Sequence, residues 1–421
     1  MRAVELFAGA GGLALGASLA GFEPLAVLEW DRWACDTLRE NQKRGYPLVS
    51  GWPIHEGDVR DYDWKALPTD IELVSGGPPC QPFSMGGKHG AYNDRRDMFP
   101  ASVDIVRRLR PKAFIFENVK GLTRSAFHNY FEYIRLQLEF PESPIRKSED
   151  WHGHYVRLQA EHSSGKQHGK ALTYRLQTNL VNAADYGVPQ RRERVFIVGF
   201  RYDLETTWSM PEQTHSHSAL LHDQWVTGDY WERNKVAKKH RPVSPLSATA
   251  NQTLTRQLSL IEEPLKPWKT VREALSDMPH PEKRVKHSFI NHTHQPGAKA
   301  YPGHTGSPLD LPAKTLKAGG HGVPGGENMM VNDDGSYRYF TIRESARLQT
   351  FPDGYRFHGA WGEVMRQLGN AVPVELARQV MSSVAIQLVE TQLRKHGFKT
   401  TADVAKAIAQ MNRPAAVLKR A

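Results

Sequence analysis

Cys80 is one of two cysteines in the chain, and it sits in Ser75-Gly-Gly-Pro-Pro-Cys-Gln-Pro-Phe-Ser84, directly after the apolar run 71–74. A cysteine used for packing is usually one small apolar residue among others inside an element. Here glycines and prolines end a strand and stiffen a loop instead. A thiol on such a loop is a candidate nucleophile; an inert single cysteine is the alternative, and the loop alone does not separate them. Free cysteine has a pKa of about 8.5, so a nucleophile here needs help to be thiolate at neutral pH.

A second set of residues has the spacing of a nucleoside site. Gly9-Ala-Gly-Gly-Leu-Ala-Leu-Gly16, which contains Gly11 and Gly12, follows a first strand-like run 4–7, and Glu29 lies 20 residues beyond Gly9 at the end of a second run. At that distance an acidic side chain can accept hydrogen bonds from ribose hydroxyls. Asp58, in Gly57-Asp58-Val59, is placed to receive an adenine amino group, and Phe7 and Trp30 offer apolar faces to a purine. The set fits an adenosine-containing cofactor without saying which; a glycine turn with surface acids reads the same way.

The elements that must position these residues are short apolar or β-rich runs at 4–7, 25–29, 71–74, 113–116, 174–180 and 195–200, with helical patterns between them at 97–109 and 127–138. Alternating strands and helices predict an α/β domain, a mostly parallel sheet covered on both faces, whose ligands gather at the carboxyl ends of the strands. Cys80, Glu29 and Glu117-Asn118-Val119 all fall there. Composition changes after Phe200: 203–340 is rich in Pro, Gly, His, Ser and Thr, with basic clusters such as Lys238-Lys239-His240-Arg241. This segment reads as a second, irregular domain. Regular patterning resumes at Thr341–Leu348, and 364–388 predicts one long helix. Residues 141–170 read as a polar insertion, and the tail after Lys395 as basic and amphipathic.

Bulk properties narrow the setting. The charge is +10 over 421 residues and the mean hydropathy is −0.55. No apolar stretch approaches the roughly 18 residues of a membrane span. The chain opens directly on a strand-like run with no signal-peptide layout, and two cysteines make no disulfide framework, which points to a reducing cytoplasm. A basic surface favours an anionic partner, nucleic acid first. The paired histidines 152/154, 215/217 and 292/294 have no cysteines nearby and read as polar loop residues, not metal ligands.

Taken in order, Phe7-Ala-Gly-Ala-Gly-Gly12, Glu29-Trp30-Asp31, Gly57-Asp58, Gly77-Pro-Pro-Cys-Gln-Pro-Phe-Ser84, Glu117-Asn-Val119, Gln190-Arg-Arg-Glu-Arg194, Arg343-Glu-Ser-Ala-Arg-Leu348 with Phe351-Pro-Asp353, and Gly369-Asn-Ala-Val-Pro373 resemble the motifs of the DNA cytosine-5 methyltransferases. Motifs in the family's order over most of the chain are far more specific than any one of them. The resemblance implies a Rossmann-like, S-adenosylmethionine-dependent fold with a mixed sheet. It implies a discontinuous catalytic domain, 1–200 and 341–421, with a target recognition domain, 201–340, inserted. The implied cofactor is S-adenosylmethionine with no metal, and the implied partner is double-stranded DNA, bound by a monomer. The lack of any extension before the first motif suggests a prokaryotic or phage enzyme, either paired with a restriction endonuclease or solitary.

The same resemblance assigns roles. Cys80 attacks carbon 6 of a flipped cytosine, and Glu117, its pKa raised by burial, supplies a proton near ring nitrogen 3. Arg192 and Arg194 hold the ring oxygen, the glutamate or a phosphate. Pro79 lies against the cofactor, and Asn370 with Ala371 helps form its pocket; Ala371 departs from the serine many members carry. Ser84, Lys88, Arg95 and Arg96 in a glycine-bearing loop, Gln190, Thr315-Leu316 and Gly319-Gly320 are expected at DNA. A zinc deaminase is excluded by the lack of a second cysteine after Pro79-Cys80. A thiol hydrolase leaves Gly9–Gly16, Glu29 and Asn370 unexplained. An RNA cytosine-5 methyltransferase and a catalytically inactive DNA-binding relative are the remaining alternatives.

Overall fold

A computed structural model of the chain describes residues 1–79, 97–166, 168–260, 264–282, 288–302, 305–318 and 328–395. Cys80, Ser84, Lys88, Arg95, Arg96, Gly319, Gly320 and the tail after Lys395 lie outside the described residues. By compactness there are two units. The first comprises Met1–Val181, Glu193–Pro211 and the chain from Ala377; the second comprises Asn182–Arg192 and Glu212–Leu376.

In the first unit, β1 (Arg2–Leu6), β2 (Glu23–Glu29), β3 (Ile54–Glu56), β4 (Leu73–Gly76), β5 (Ala113–Val119), β6 (Tyr174–Asn182) and β7 (Glu193–Arg201) form one sheet in the order β3-β2-β1-β4-β5-β7-β6. The pairs from β3 to β5 are parallel, as helical crossovers require; β7 runs antiparallel to β5, from Ala113↔Phe200 to Val119↔Arg194. The crossovers include α1 (Gly12–Leu19), α2 (Arg32–Lys43) and α3 (Phe99–Leu109), and α4 (His128–Glu139) with α5 (Trp151–Ser164) follows β5. Strands buried on both faces read as continuous apolar runs, and Ala113-Phe-Ile-Phe116 is buried throughout. The core joins Val4, Leu6 and Phe116 of the sheet to Val103 and Val106 of α3 and Ile134 and Leu138 of α4. The helix α5 lies inside the segment expected as a polar insertion. It is anchored by His154, which is buried and bonded to the Tyr133 hydroxyl and the Ser143 carbonyl, each at 2.7 Å.

The second unit holds short elements: β8 (His215–Ser216), α6 (His217–His222), α7 (Asp229–Arg233), α8 (Ala248–Ser259), β9 (Lys266–Pro267), α9 (Val271–Leu275), β10 (Met329–Val331), β11 (Tyr337–Tyr339), α10 (Ile342–Leu348) and α11 (Trp361–Asn370). A small core of Leu220, Tyr230, Trp231 and Val236 holds α6 and α7 together. The helix α10 starts at a capping box in which Thr341 and Glu344 satisfy each other's backbone N–H groups.

One expectation meets a different structure. The long helix over 364–388 is two helices, α11 and α12 (Val374–Lys395), because Ala371 is extended (φ −65, ψ 147) and Pro373 cannot continue an α-helical hydrogen-bond ladder. By compactness, residues 182–192 and 341–376 pack with 212–340. The reason is a set of buried bonds, described below, that no hydropathy pattern records.

Candidate active site

The turn after β1 is built for close approach. Phe7 has φ 54, an uncommon conformation for a large side chain, and Ala8 N–H donates to the Leu28 carbonyl at 3.0 Å, laying the turn against the end of β2. Gly11, at φ 87, then opens α1. Glu29 closes the cradle. Its Oε2 accepts from Gly9 N–H at 2.7 Å and its Oε1 accepts from Trp30 and Asp31 N–H at 2.9 and 2.8 Å. Burial pushes the Glu29 carboxyl above its usual range, and the three backbone donors pull the other way. Because an anionic carboxylate oxygen accepts along two lone-pair directions, Oε2 keeps room for one further donor.

Gly57 N–H donates to the Glu29 carbonyl at 2.8 Å, bringing Asp58 to the same strand end. The Asp58 carboxylate is gripped by Arg60, whose Nε lies 2.9 and 3.0 Å from its two oxygens, and this pairing holds its pKa below the ordinary value. Val59 is core, its carbonyl accepting from the Trp64 indole at 3.1 Å. Trp30 is 68% exposed, an uncovered aromatic face beside the Glu29 carboxylate. A carboxylate with acceptor capacity, a glycine turn and a bare indole suit a nucleoside with a ribose and a purine.

Across the sheet, β5 and β7 form the second cluster. Arg194 lies opposite Val119, so Glu117, two residues earlier on β5, shares its face. The Arg194 Nε lies 2.7 Å from Glu117 Oε1, and both side chains are buried. Burial pushes the Arg194 guanidinium down and the Glu117 charge opposes this. Gly77 faces the pair: a Cβ there would stand 3.2 Å from Glu117 Oε2. Asn118 Nδ2 donates to the Pro78 carbonyl at 3.0 Å, and the Pro79 carbonyl accepts from Met98 N–H at 3.3 Å. Asn118 is visible within Glu117-Asn118-Val119, but only the fold gives it a task, holding the backbone at Pro78. Buried Glu5, by contrast, is marked by no motif; its Oε1 accepts from the Ser75 hydroxyl at the base of the same loop.

Within the second unit, the expected site residues have a different geometry. Arg192 is fully buried and its guanidinium donates to the carbonyls of Leu316 at 3.1 Å and Gly369 at 2.7 Å. Its side chain is therefore a tie between two segments, unlike Arg194. Gln190 is also fully buried: it donates to the Leu348 carbonyl at 3.2 Å and accepts from Leu316 N–H at 3.0 Å. The Thr315 hydroxyl donates to the Arg191 carbonyl at 2.7 Å, and Leu316 is buried. Gly369 packs so closely that a Cβ would lie 2.2 Å from Ala318 N. Asn370 ends α11 with an exposed side chain, and Ala371 is buried.

A glycine turn and a buried carboxylate at the carboxyl ends of β1 and β2, in a mixed sheet with an antiparallel β7, define a Rossmann-like methyltransferase class. Residues 1–141 and 159–385 match the model of the C-5 cytosine-specific DNA methylase family, and the chain belongs to that family. The unmatched stretch, 142–158, falls in the segment that carries the start of α5. The Type II methyltransferase M.NgoFVII of Neisseria gonorrhoeae is 31% identical over 394 residues, 90% of this chain and 86% of that one. M.AquIA of Picosynechococcus is 33% identical over 286 residues, 66% and 89% of the two chains. The Dnmt2 methyltransferase of S. pombe shares the fold, with a TM-score of 0.52 at 17% identity, covering 94% of this chain and 100% of that one. The chain is thus a DNA cytosine-5 methyltransferase. Among the described residues, no helix is long and apolar enough to cross a membrane.

Proposed function

We propose that the chain methylates carbon 5 of a cytosine swung out of a specific duplex DNA sequence, with Cys80 as nucleophile, Glu117 as proton donor at ring nitrogen 3 and Arg194 as the group that holds Glu117. The observation that carries this reading is the buried Arg194–Glu117 pair facing Gly77, three residues before Cys80.

Carbon 5 lies in a conjugated ring and is a poor nucleophile, which covalent catalysis remedies. The Cys80 thiolate adds to carbon 6, forming a carbon–sulfur bond, and the displaced electron pair is neutralised at nitrogen 3 by a proton from Glu117. Carbon 5 then has enamine character. Residues of the Gly9–Glu29 cradle would hold S-adenosylmethionine, which would supply the methyl group and leave as S-adenosylhomocysteine. Loss of the carbon 5 proton to base restores the double bond and expels the thiolate, and nitrogen 3 returns its proton to Glu117. Phe7, Gly9, Gly11, Gly12, Glu29, Trp30, Asp58, Val59 and Pro79 line the cofactor side in this reading.

Flipping a base costs a few kcal/mol, which contacts to the DNA backbone offset. Ser84, Lys88, Arg95 and Arg96 offer a hydroxyl and three cations of the kind that bind phosphates. Gln190 and Leu316 act by holding their neighbours in place. The names of the Type II relatives extend the reading to sequence-specific methylation of the restriction–modification kind.

The test is a duplex carrying 5-fluorocytosine, whose fluorine cannot leave as the proton does. Incubation with S-adenosylmethionine should leave a denaturation-resistant protein–DNA complex, absent in Cys80→Ala, while calorimetric cofactor binding survives in that variant. Wild-type turnover by Cys80→Ala, or transfer to tRNA in preference to duplex DNA, defeats the proposal.

A further inference from the structure

We propose that Glu139, His162 and His168 form a binding site for a zinc-class divalent cation, remote in sequence from every residue assigned to methyl transfer. Glu139 is the last residue of α4, His162 lies in the last turn of α5, and His168 follows Gly165, whose φ of 62 turns the chain back. The spacing matches no metal motif, so only the fold reveals the group.

Oε1 of Glu139 lies 2.8 Å from Nδ1 of His162 and 2.9 Å from Nε2 of His168. One candidate ligand atom from each residue lies within 4.8 Å of the other two. Two imidazole nitrogens and one carboxylate oxygen are a donor set suited to zinc. Zinc holds such ligands at about 2.0–2.2 Å, which sets tetrahedral ligand–ligand separations of about 3.3 Å. A shell of that size needs the carboxylate contacts to open by about 0.5 Å and the two imidazole nitrogens, within 4.8 Å of each other, to close on the same ion.

The ligands are held for this. The His168 ring stacks between Phe140, with centroids 5.5 Å apart and planes 15° apart, and Tyr202, at 4.9 Å and 10°. A ring already fixed in its binding orientation loses less freedom on coordination. The Glu139 side chain is 12% exposed and that of His168 22%, whereas His162 is 57% exposed. The site opens on the His162 side, where an ion enters and water completes its shell. An ion there would staple the ends of α4 and α5 to the turn after α5.

Tag-free, chelator-treated full-length protein titrated with Zn²⁺ by calorimetry tests the site. One ion should bind at micromolar affinity and raise the melting temperature. His162→Ala and His168→Ala should each weaken binding at least tenfold, as should Glu139→Gln, whereas His152→Ala should not. His162→Ala, at the exposed ligand, should keep the wild-type melting temperature without zinc and the wild-type methyl-transfer rate. The absence of saturable binding shows the cluster to be a hydrogen-bonded His–Glu–His triad only, and affinity unchanged in both histidine variants places any bound ion elsewhere; either result overturns the site.

Discussion

The Arg194 Nε and Glu117 Oε1 meet at 2.7 Å across the antiparallel junction of β5 and β7, with both side chains about one-tenth exposed or less. Removing one partner strands the other charge in the interior. Arg194→Ala is expected to cost about 3–5 kcal/mol of stability. Glu117→Gln keeps the shape and an acceptor oxygen but cannot deliver a proton. It should slow single-turnover methyl transfer by roughly 10²- to 10⁴-fold with a smaller loss in denaturant unfolding. A near-normal rate for Glu117→Gln would remove it from the chemistry.

Gly77 has no room to spare on the Glu117 side. A Cβ there, 3.2 Å from Oε2, pushes the carboxylate by a few tenths of an ångström. Gly77→Ala should therefore fold with nearly wild-type stability yet lose at least tenfold in kcat, with cofactor affinity unchanged. Loss of cofactor binding in this variant contradicts the assignment of Gly77 to the glutamate.

Glu29 organises the cradle through three backbone donors. Glu29→Gln presents one acceptor where there were two and a donor where none belongs. Hydrogen bonds to a charged group are worth about 1.5–3 kcal/mol. S-adenosylmethionine binding by calorimetry should weaken by roughly 10- to 100-fold, with a milder loss for Trp30→Ala at the exposed indole. An unchanged dissociation constant in both variants would falsify the placement of the nucleoside.

Much of this is legible in the sequence because it depends on period and spacing. Buried parallel strands write apolar runs, and a glycine turn followed 20 residues later by an acid has the spacing proposed for a nucleoside site. The Arg192 and Gln190 side chains cannot be read in that way. In Gln190-Arg-Arg-Glu-Arg194 the residues look equivalent, yet Arg194 turns to a carboxylate on β5 while Arg192 caps carbonyls at 316 and 369, more than a hundred residues away. Such partners depend on register and loop path, which leave no local pattern. The same holds for Glu139, His162 and His168.

Because Arg192 ties Leu316 to Gly369, its loss should act on folding. Arg192→Lys has one ammonium where two guanidinium nitrogens serve two carbonyls, and Gly369→Ala drives a methyl to 2.2 Å from a backbone nitrogen. Both should lower the stability to unfolding by several kcal/mol. The residual methyl-transfer rate per folded molecule should fall far less than in Glu117→Gln. A stable but inactive Arg192→Lys protein instead returns Arg192 to the catalytic group.

Glu5 sets the response to pH. It is fully buried on β1, between β2 and β4, accepts from the Ser75 hydroxyl at 2.5 Å, and its Oε2 has no hydrogen-bond partner among the described residues. Burial pushes its pKa from 4.5 up to about 8, against a smaller downward pull from Ser75. Below pH 4.5 the carboxyl is protonated in the folded and unfolded chain alike, and the stabilisation is complete. Between 4.5 and 8 the unfolded chain gives up a proton that the fold retains, so stability falls as pH rises. Each tenfold change in proton affinity is worth about 1.4 kcal/mol, so the upper bound is on the order of 5 kcal/mol. Glu5→Gln keeps an oxygen for Ser75 and cannot ionise. His215, pushed down to about 4 by burial with help from Lys269 and Lys266, works in the opposite sense: its contribution is present above pH 6.5 and is lost as pH falls through 4. The difference between wild type and Glu5→Gln isolates Glu5. Urea midpoints should converge near pH 4.5, and the variant should become the more stable protein by pH 8; parallel curves across that window would mean that Glu5 is not held protonated.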